Sequence, residues 1–229
     1  MIVKKEIILP HVYVLTFDTQ YDLCMSFVRM QEFYESPKFK NKYFTLEDFM
    51  DYWSEEFGNG LFDYPTKWSG FNLSSKIIEK WKSKVGYPHE IRDREWHIIN
   101  AIDELLLDEE EKDGYMPNKY YVIGVYCKGN TKEKRLEVIN HESAHAFYDL
   151  NSSYKKLANK LLKEMDKQAY LDAEYALIKM GYGKNVIKDE MQAYFSTNVI
   201  SANSKIVSLG NRAEFVQNFN QFKENHNGS

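Results

Sequence analysis

Residues 141–145 read His-Glu-Ser-Ala-His. On a helix, residues four apart share a face, about 40° apart around the axis and one turn along it. His141 and His145 therefore bring two imidazoles to one point, a donor pair that suits a zinc ion. Glu142 lies beside that point, turned about 100° from His141 around the helix. A carboxylate there is placed to take a proton from a metal-activated water. The bland alternative is a polar helix face that simply meets water.

A catalytic zinc keeps three protein ligands and one water, so a further ligand must come from elsewhere in the chain. Three acidic residues downstream are candidates, and their helical faces separate them. Glu174 shares its face with Lys156, Lys163 and Lys167 and is expected to be solvated. Asp172 falls on an apolar arc with Leu161, Met165 and Tyr175. Glu190 lies among Val186, Ile187, Ala193 and Tyr194. Burying a lone carboxylate costs several kcal/mol, so one on an apolar face is paired or metal-bound. A buried salt bridge would satisfy Glu190 as well. With the histidine pair upstream, Glu190 is the expected third ligand and Asp172 the reserve. Tyr194, one turn beyond Glu190, is within reach as a donor to a developing oxyanion, or else is a packed aromatic. Asp149 either orients a histidine or is a solvated surface residue.

This arrangement resembles the gluzincin branch of the zincin metallopeptidases, in which HExxH on one helix is followed by a Glu ligand on a later helix. The matching residues are His141, Glu142 and His145, then Glu190 in the segment DEMQAYFST. The chain departs from the metzincin extension HExxHxxGxxH, since Tyr148 stands at its Gly position and Asn151 at its last His. It also lacks the short thermolysin-like spacing to an NExxSD segment. The resemblance spans roughly residues 120–200 and leaves residues 1–115 without a counterpart. It implies Zn2+ as cofactor, a peptide or protein substrate, and hydrolysis of peptide bonds. It further implies a strand ahead of the active helix that borders the cleft. Tyr120–Cys127 could fill that place and pair with extended substrate, or be an interior strand with both edges already paired.

The zinc helix needs elements that hold it. Lys132–Leu150 is expected to be that helix, with Leu136, Ile139, Ser143, Ala146, Phe147 and Leu150 as an apolar arc opposite the histidines. Further helices are expected over Ser153–Met180, Lys184–Ile200 and Arg212–Glu224. In the N-terminal half, His11–Phe17 reads as a strand and Tyr21–Tyr34 as a helix stopped at Ser36-Pro37. Thr45–Phe57 opens with the capping pattern TLED. Gly58–Ser75 reads as a loop, and Arg92–Lys112 as a helix ending in the acidic run Asp108–Glu111. YYVIGVYC at 120–127 is the strongest strand. KDGYMPN at 112–118 is the best boundary, dividing an α+β region 1–115 from a zincin-like region 116–229. Residues 1–115 could recognise substrate or cover the site. The fold class is α+β, a small sheet with an active-site helix and a mainly helical C-terminal half.

Composition bounds the rest. The 229 residues are 43% hydrophobic, enough for one large domain or two small ones. Net charge is -4 with both signs interspersed, and no long basic run marks nucleic acid as a partner. Seventeen Tyr and fourteen Phe point to an aromatic core. Cys24 and Cys127 make no disulfide framework and read as thiols in a reducing compartment. The N-terminus has lysines before an apolar stretch, but Pro10 and His11 interrupt it and no small-residue cleavage site follows. No run has the length of a membrane span, so no membrane partner and a cytoplasmic location are expected. Two rivals to the peptidase remain, a binding or regulatory module on a zinc-peptidase scaffold and a metal-free structural domain.

Overall fold

The computed structural model describes residues 1–180, 182–197 and 212–227. The chain divides into two compact units, residues 1–135 and 136–229. The architecture is mixed α+β, with a four-stranded sheet and a mostly helical remainder among the described residues. No helix among them is long and apolar enough to cross a membrane.

The first unit is built on the sheet, with strand order β1-β2-β4-β3. These strands are β1 (Ile2–Leu9), β2 (Val12–Phe17), β3 (Gly70–Ser74) and β4 (Tyr121–Tyr126). β1 and β2 form an antiparallel hairpin, β2 and β4 run parallel, and β3 is antiparallel to β4. The segment after Met1 is therefore an edge strand, and β3 is a short strand inside the stretch expected to be a loop. Only Phe71 and Leu73 of β3 are buried, too few alternations to stand out from the polar residues around them. β4 is interior, with both edges paired, so it offers no edge to an extended substrate. Those pairings also put residues 116–135 with the first unit rather than with the C-terminal region.

Helix α1 (Gln20–Glu35) packs on the sheet, where β4 admits it through Gly124: a Cβ there would lie 2.6 Å from Phe27 and 2.7 Å from Leu23. Helix α2 (Leu46–Glu56) starts from the Thr45–Asp48 capping box that TLED foretold. Helices α3 (Ser75–Val85) and α4 (Asp93–Asp113) complete the unit. The aromatics do form a core: Phe49 and Tyr64 stand edge-to-face at 5.1 Å, and Trp53 and Tyr64 at 4.8 Å. Cys24 is buried, and burial pushes its thiol up to about 12.

Two buried carboxylates pin α4. Glu109, from the acidic run, accepts the N–H of His11 at 2.7 Å and the hydroxyl of Tyr13. It thereby holds the Pro10–His11 turn, in which His11 takes the left-handed conformation, φ 64°. Glu95 meets Arg29 of α1 at 3.3 Å and accepts the Arg92 N–H at 2.9 Å, capping α4. The Arg29 guanidinium also lies 5.6 Å from the Trp81 ring centre and 5.7 Å from that of Tyr43.

The second unit is helical: α5 (Lys132–Leu150), whose first turn belongs to the first unit, α6 (Ser152–Glu164), α7 (Lys167–Lys179), α8 (Ile187–Ser196) and α9 (Arg212–Asn227). The single helix expected over 153–180 is two. Met165 is extended, and the Asp166 carboxylate accepts the N–H groups of Gln168 and Ala169 at 2.9 and 3.0 Å, restarting the chain as α7. The break resets the helical register, so Asp172 does not share an arc with Leu161. It is exposed and accepts a hydrogen bond from Gln168 at 2.8 Å. The end of the expected helix 184–200, beyond Thr197, lies outside the described residues.

The Arg29–Glu95 pair is almost fully buried, with side-chain exposures of 3% and 2%. Removing one partner strands the other charge away from water. Glu95→Ala is expected to cost about 3–5 kcal/mol, read as a lowered midpoint in urea denaturation followed by circular dichroism.

Candidate metal centre

Helix α5 changes character along its length. Its first turns are exposed or half-buried, and Leu136 is 51% exposed despite its place in the expected arc. Residues 141–148 are all buried, on every face. Three helices enclose this stretch. Phe147 packs on Tyr154 of α6 and Phe219 of α9, at 5.5 and 5.6 Å between ring centres. Tyr148 donates to Asn159 of α6 at 3.1 Å. On the histidine side, α8 covers the helix. The histidine face is thus inside the unit rather than opposite its core.

There His141, His145 and Glu190 converge: one ligand atom from each lies within 4.8 Å of the others, and all three residues are buried. His145 Nε2 is 3.7 Å from Glu190 Oε1. Donors about 2.0–2.2 Å from a tetrahedral ion stand roughly 3.3–3.6 Å apart, so the side chains must draw in by about an ångström to hold one. Glu190 reaches the site because its apolar neighbours Ile187, Met191, Tyr194 and Phe195 seat α8 in the core formed with Leu161, Leu162 and Leu177.

The second nitrogen of each ring is already committed. His145 Nδ1 is 2.9 Å from Asp189 Oδ1, and a carboxylate only accepts, so Nδ1 carries the proton. His141 Nδ1 is 3.2 Å from Thr197 Oγ1. That hydroxyl donates to the Ala193 carbonyl at 2.7 Å, which leaves its oxygen to accept from the ring. In both histidines Nδ1 is thus engaged and Nε2 is the atom turned to the cluster, the orientation that metal sites fix in this way. The orienting role held open for Asp149 falls to Asp189, while Asp149 is exposed.

The electrostatics of the pocket are asymmetric. Burial, then the neighbouring His145, hold His141 well below the usual imidazole range, so it stays neutral. Burial pulls His145 down as well, but Asp189, Glu190 and Glu142 outweigh it and push it up to about 10. These carboxylates favour a positive charge at His145 Nε2, which a proton or a metal cation can supply. The pocket thus fits a divalent ion in both donor set and field. Glu142 is buried on the ligand helix, and its charge acts on both His145 and Tyr194. The Tyr194 ring lies 4.7 Å from that of His141. Burial, with Glu190 and Glu142 adding, pushes the Tyr194 phenol up to about 12, so it remains a donor. Its oxygen is 3.4 Å from the hydroxyl of Tyr182.

Sequence reasoning missed Asp189, Thr197, Gln192 and Tyr182. Asp189 and Gln192 carried a usable signal, since residues three apart share a helix face and these two flank Glu190. Gln192 is wholly buried and joins three helices: its amide donates to the Ala144 carbonyl of α5 at 3.1 Å and to Asp189 at 3.0 Å, and its oxygen accepts from Tyr154 of α6 at 2.9 Å.

Compared with models of known families, with curated proteins and with solved structures, the chain matches none.

Gln192→Ala leaves a cavity and takes one partner each from the Ala144 carbonyl, Asp189 and Tyr154, of which Asp189 keeps His145 Nδ1 at 2.9 Å and Tyr154 keeps Ser196 Oγ at 3.2 Å. A loss of about 2–4 kcal/mol in stability is expected, measured by chemical denaturation. A loss under about 0.5 kcal/mol would show that the network does not bind α8 to α5.

Proposed function

We propose that this chain is a zinc-dependent peptidase of the gluzincin kind, hydrolysing peptide bonds with His141, His145 and Glu190 as metal ligands and Glu142 as general base. The observation that carries this reading is the meeting of two imidazoles and one carboxylate, from helices well separated in sequence, within 4.8 Å. Two histidines and one carboxylate, with a water in the remaining position, are a common catalytic zinc set. When bound, the ion supplies Lewis acidity, polarising a substrate carbonyl and making water acidic near neutral pH.

The chain's own residues supply the rest. Glu142 takes a proton from the attacking water as its oxygen bonds to the carbonyl carbon. It then passes that proton to the leaving nitrogen as the C–N bond breaks. Tyr194, its hydroxyl held protonated, donates to the carbonyl oxygen as negative charge develops there. Asp189 and Thr197 keep the two imidazoles in the tautomer that presents Nε2. Burial of the whole cluster strengthens each of these interactions.

One observation favours a rival. His145 and Glu190, 3.7 Å apart, can also close as a plain buried ion pair, as a metal-free structural or binding domain would have it. Metal analysis separates the two. Protein purified without chelator is expected to carry about one zinc per chain. Glu190→Ala should lose most of it, whereas Asp172→Ala, out on the surface of α7, should keep it. Protein that takes up no zinc after exhaustive loading, and melts at the same temperature with and without chelator, would leave only the rival.

The base is tested separately. Glu142→Gln keeps size and hydrogen-bonding oxygen but cannot accept the proton. Zinc content and fold should be retained while cleavage of a mixed peptide library, read by mass spectrometry, falls by at least about 10²–10⁴-fold. Full activity in this variant would remove Glu142 from the mechanism.

A further inference from the structure

Two adjoining cavities open on the surface of the second unit, one of about 380 Å³ and one of about 610 Å³. Both are in the size range of ligand pockets, roughly 300–1,000 Å³. They share Asn159, Lys163 and Lys188, and so form one groove over α6 and the start of α8. Its walls carry Lys155, Lys156, Lys160, Lys163, Lys167 and Lys188, all exposed. Its floor at one end is apolar, with Leu162, Met165, Tyr170 and Leu171.

A lysine-rich helix is usually a solvated face, and three features set this one apart. First, the charges surround a concavity. Second, they are largely uncompensated: Lys160 meets Glu164 at 3.7 Å, Asp166 is engaged in capping α7, and Lys156, Lys163, Lys167 and Lys188 have no ion-pair partner among the described residues. This stands out in a chain of net charge -4. Third, two of its lining residues connect to the helices that carry the candidate metal centre. Lys188 precedes Asp189, which holds His145, and Asn159 accepts from Tyr148, one turn past His145 on α5.

We propose that this groove binds an acidic peptide segment, with carboxylate side chains on the lysine walls and an apolar side chain on the Leu162–Leu171 floor. Resting on the peptidase reading, the groove makes the enzyme selective for substrates that are acidic beside the scissile bond. The apolar floor argues for peptide over nucleic acid, whose backbone would leave it unfilled. Lysine ammonium groups act here as point charges, so the selectivity is for charge density rather than for one carboxylate geometry.

The test uses the full chain carrying Glu142→Gln, so that binding is read without turnover. Two fluorescein-labelled peptides are compared by fluorescence anisotropy, one alternating Asp and Glu with Leu, the other with Asn and Gln in place of the acids. The acidic peptide should bind at least about tenfold tighter, and raising NaCl from about 0.05 M to about 0.5 M should erase most of that difference. The double reversal Lys156→Glu/Lys163→Glu should weaken the acidic peptide by roughly tenfold or more. Lys179→Glu, on α7 outside the groove, should not. Equal binding of the two peptides, or no effect of the double reversal, overturns the proposal. So does a single-stranded oligonucleotide of equal charge that binds more tightly and competes. An intact enzyme that binds the acidic peptide yet cleaves nothing would sink the peptidase reading and leave the groove standing. One that cleaves acidic and neutral library peptides equally well would do the reverse.

Discussion

A charged carboxylate or imidazole taken out of water costs several kcal/mol unless something charged or hydrogen-bonding meets it. The second unit buries His141, Glu142, His145 and Glu190 together. Everything around them answers that cost. Asp189 takes the outer nitrogen of His145, Thr197 that of His141, and Gln192 ties Asp189 to the α5 backbone. Apolar packing of α8 against α6 and α7 then supplies the force that keeps these polar groups in register. The result is a pocket that presents Nε2 of both imidazoles beside Glu190 and whose field favours a positive charge at His145.

The same rule shapes the first unit, with a different outcome. Glu95 and Glu109 are as deeply buried as Glu190, but protein groups that need no ion meet them: Arg29 and the α4 cap for one, the hairpin turn and Tyr13 for the other. These carboxylates fasten α4 to α1 and to the β1–β2 turn. A buried acid is therefore no mark of chemistry in this protein. What distinguishes Glu190 is its company, two imidazoles whose second nitrogens are already occupied.

The polarity of the second unit is also divided in space. Carboxylates gather inside, around His145, while ammonium groups gather outside, on α6 and the first turn of α8. The interior carboxylates favour a positive charge at His145, and the exterior lysines make the surface at the start of α8 locally positive.

Spacing along the chain was enough to determine the local facts. The pentad at 141–145 put two imidazoles on one helix face, the apolar surroundings of Glu190 marked it as buried, TLED set the start of α2, and the β-branched run at 121–126 gave a strand. Each depends on contacts within a few residues, which sequence encodes directly. Only tertiary structure decided the rest. The strand Gly70–Ser74 exists because β4 pairs with it, and it has too few buried residues to declare itself. Asp172 left the candidate set because the Asp166 cap breaks a helix whose two halves each looked continuous. Asp189 rather than Asp149 orients His145 because α8 covers the histidine face of α5, and no periodicity within α5 records which helix lies above it. Propensity and spacing act over one or two turns, whereas the partners of a buried polar group are chosen by whichever element packs against it.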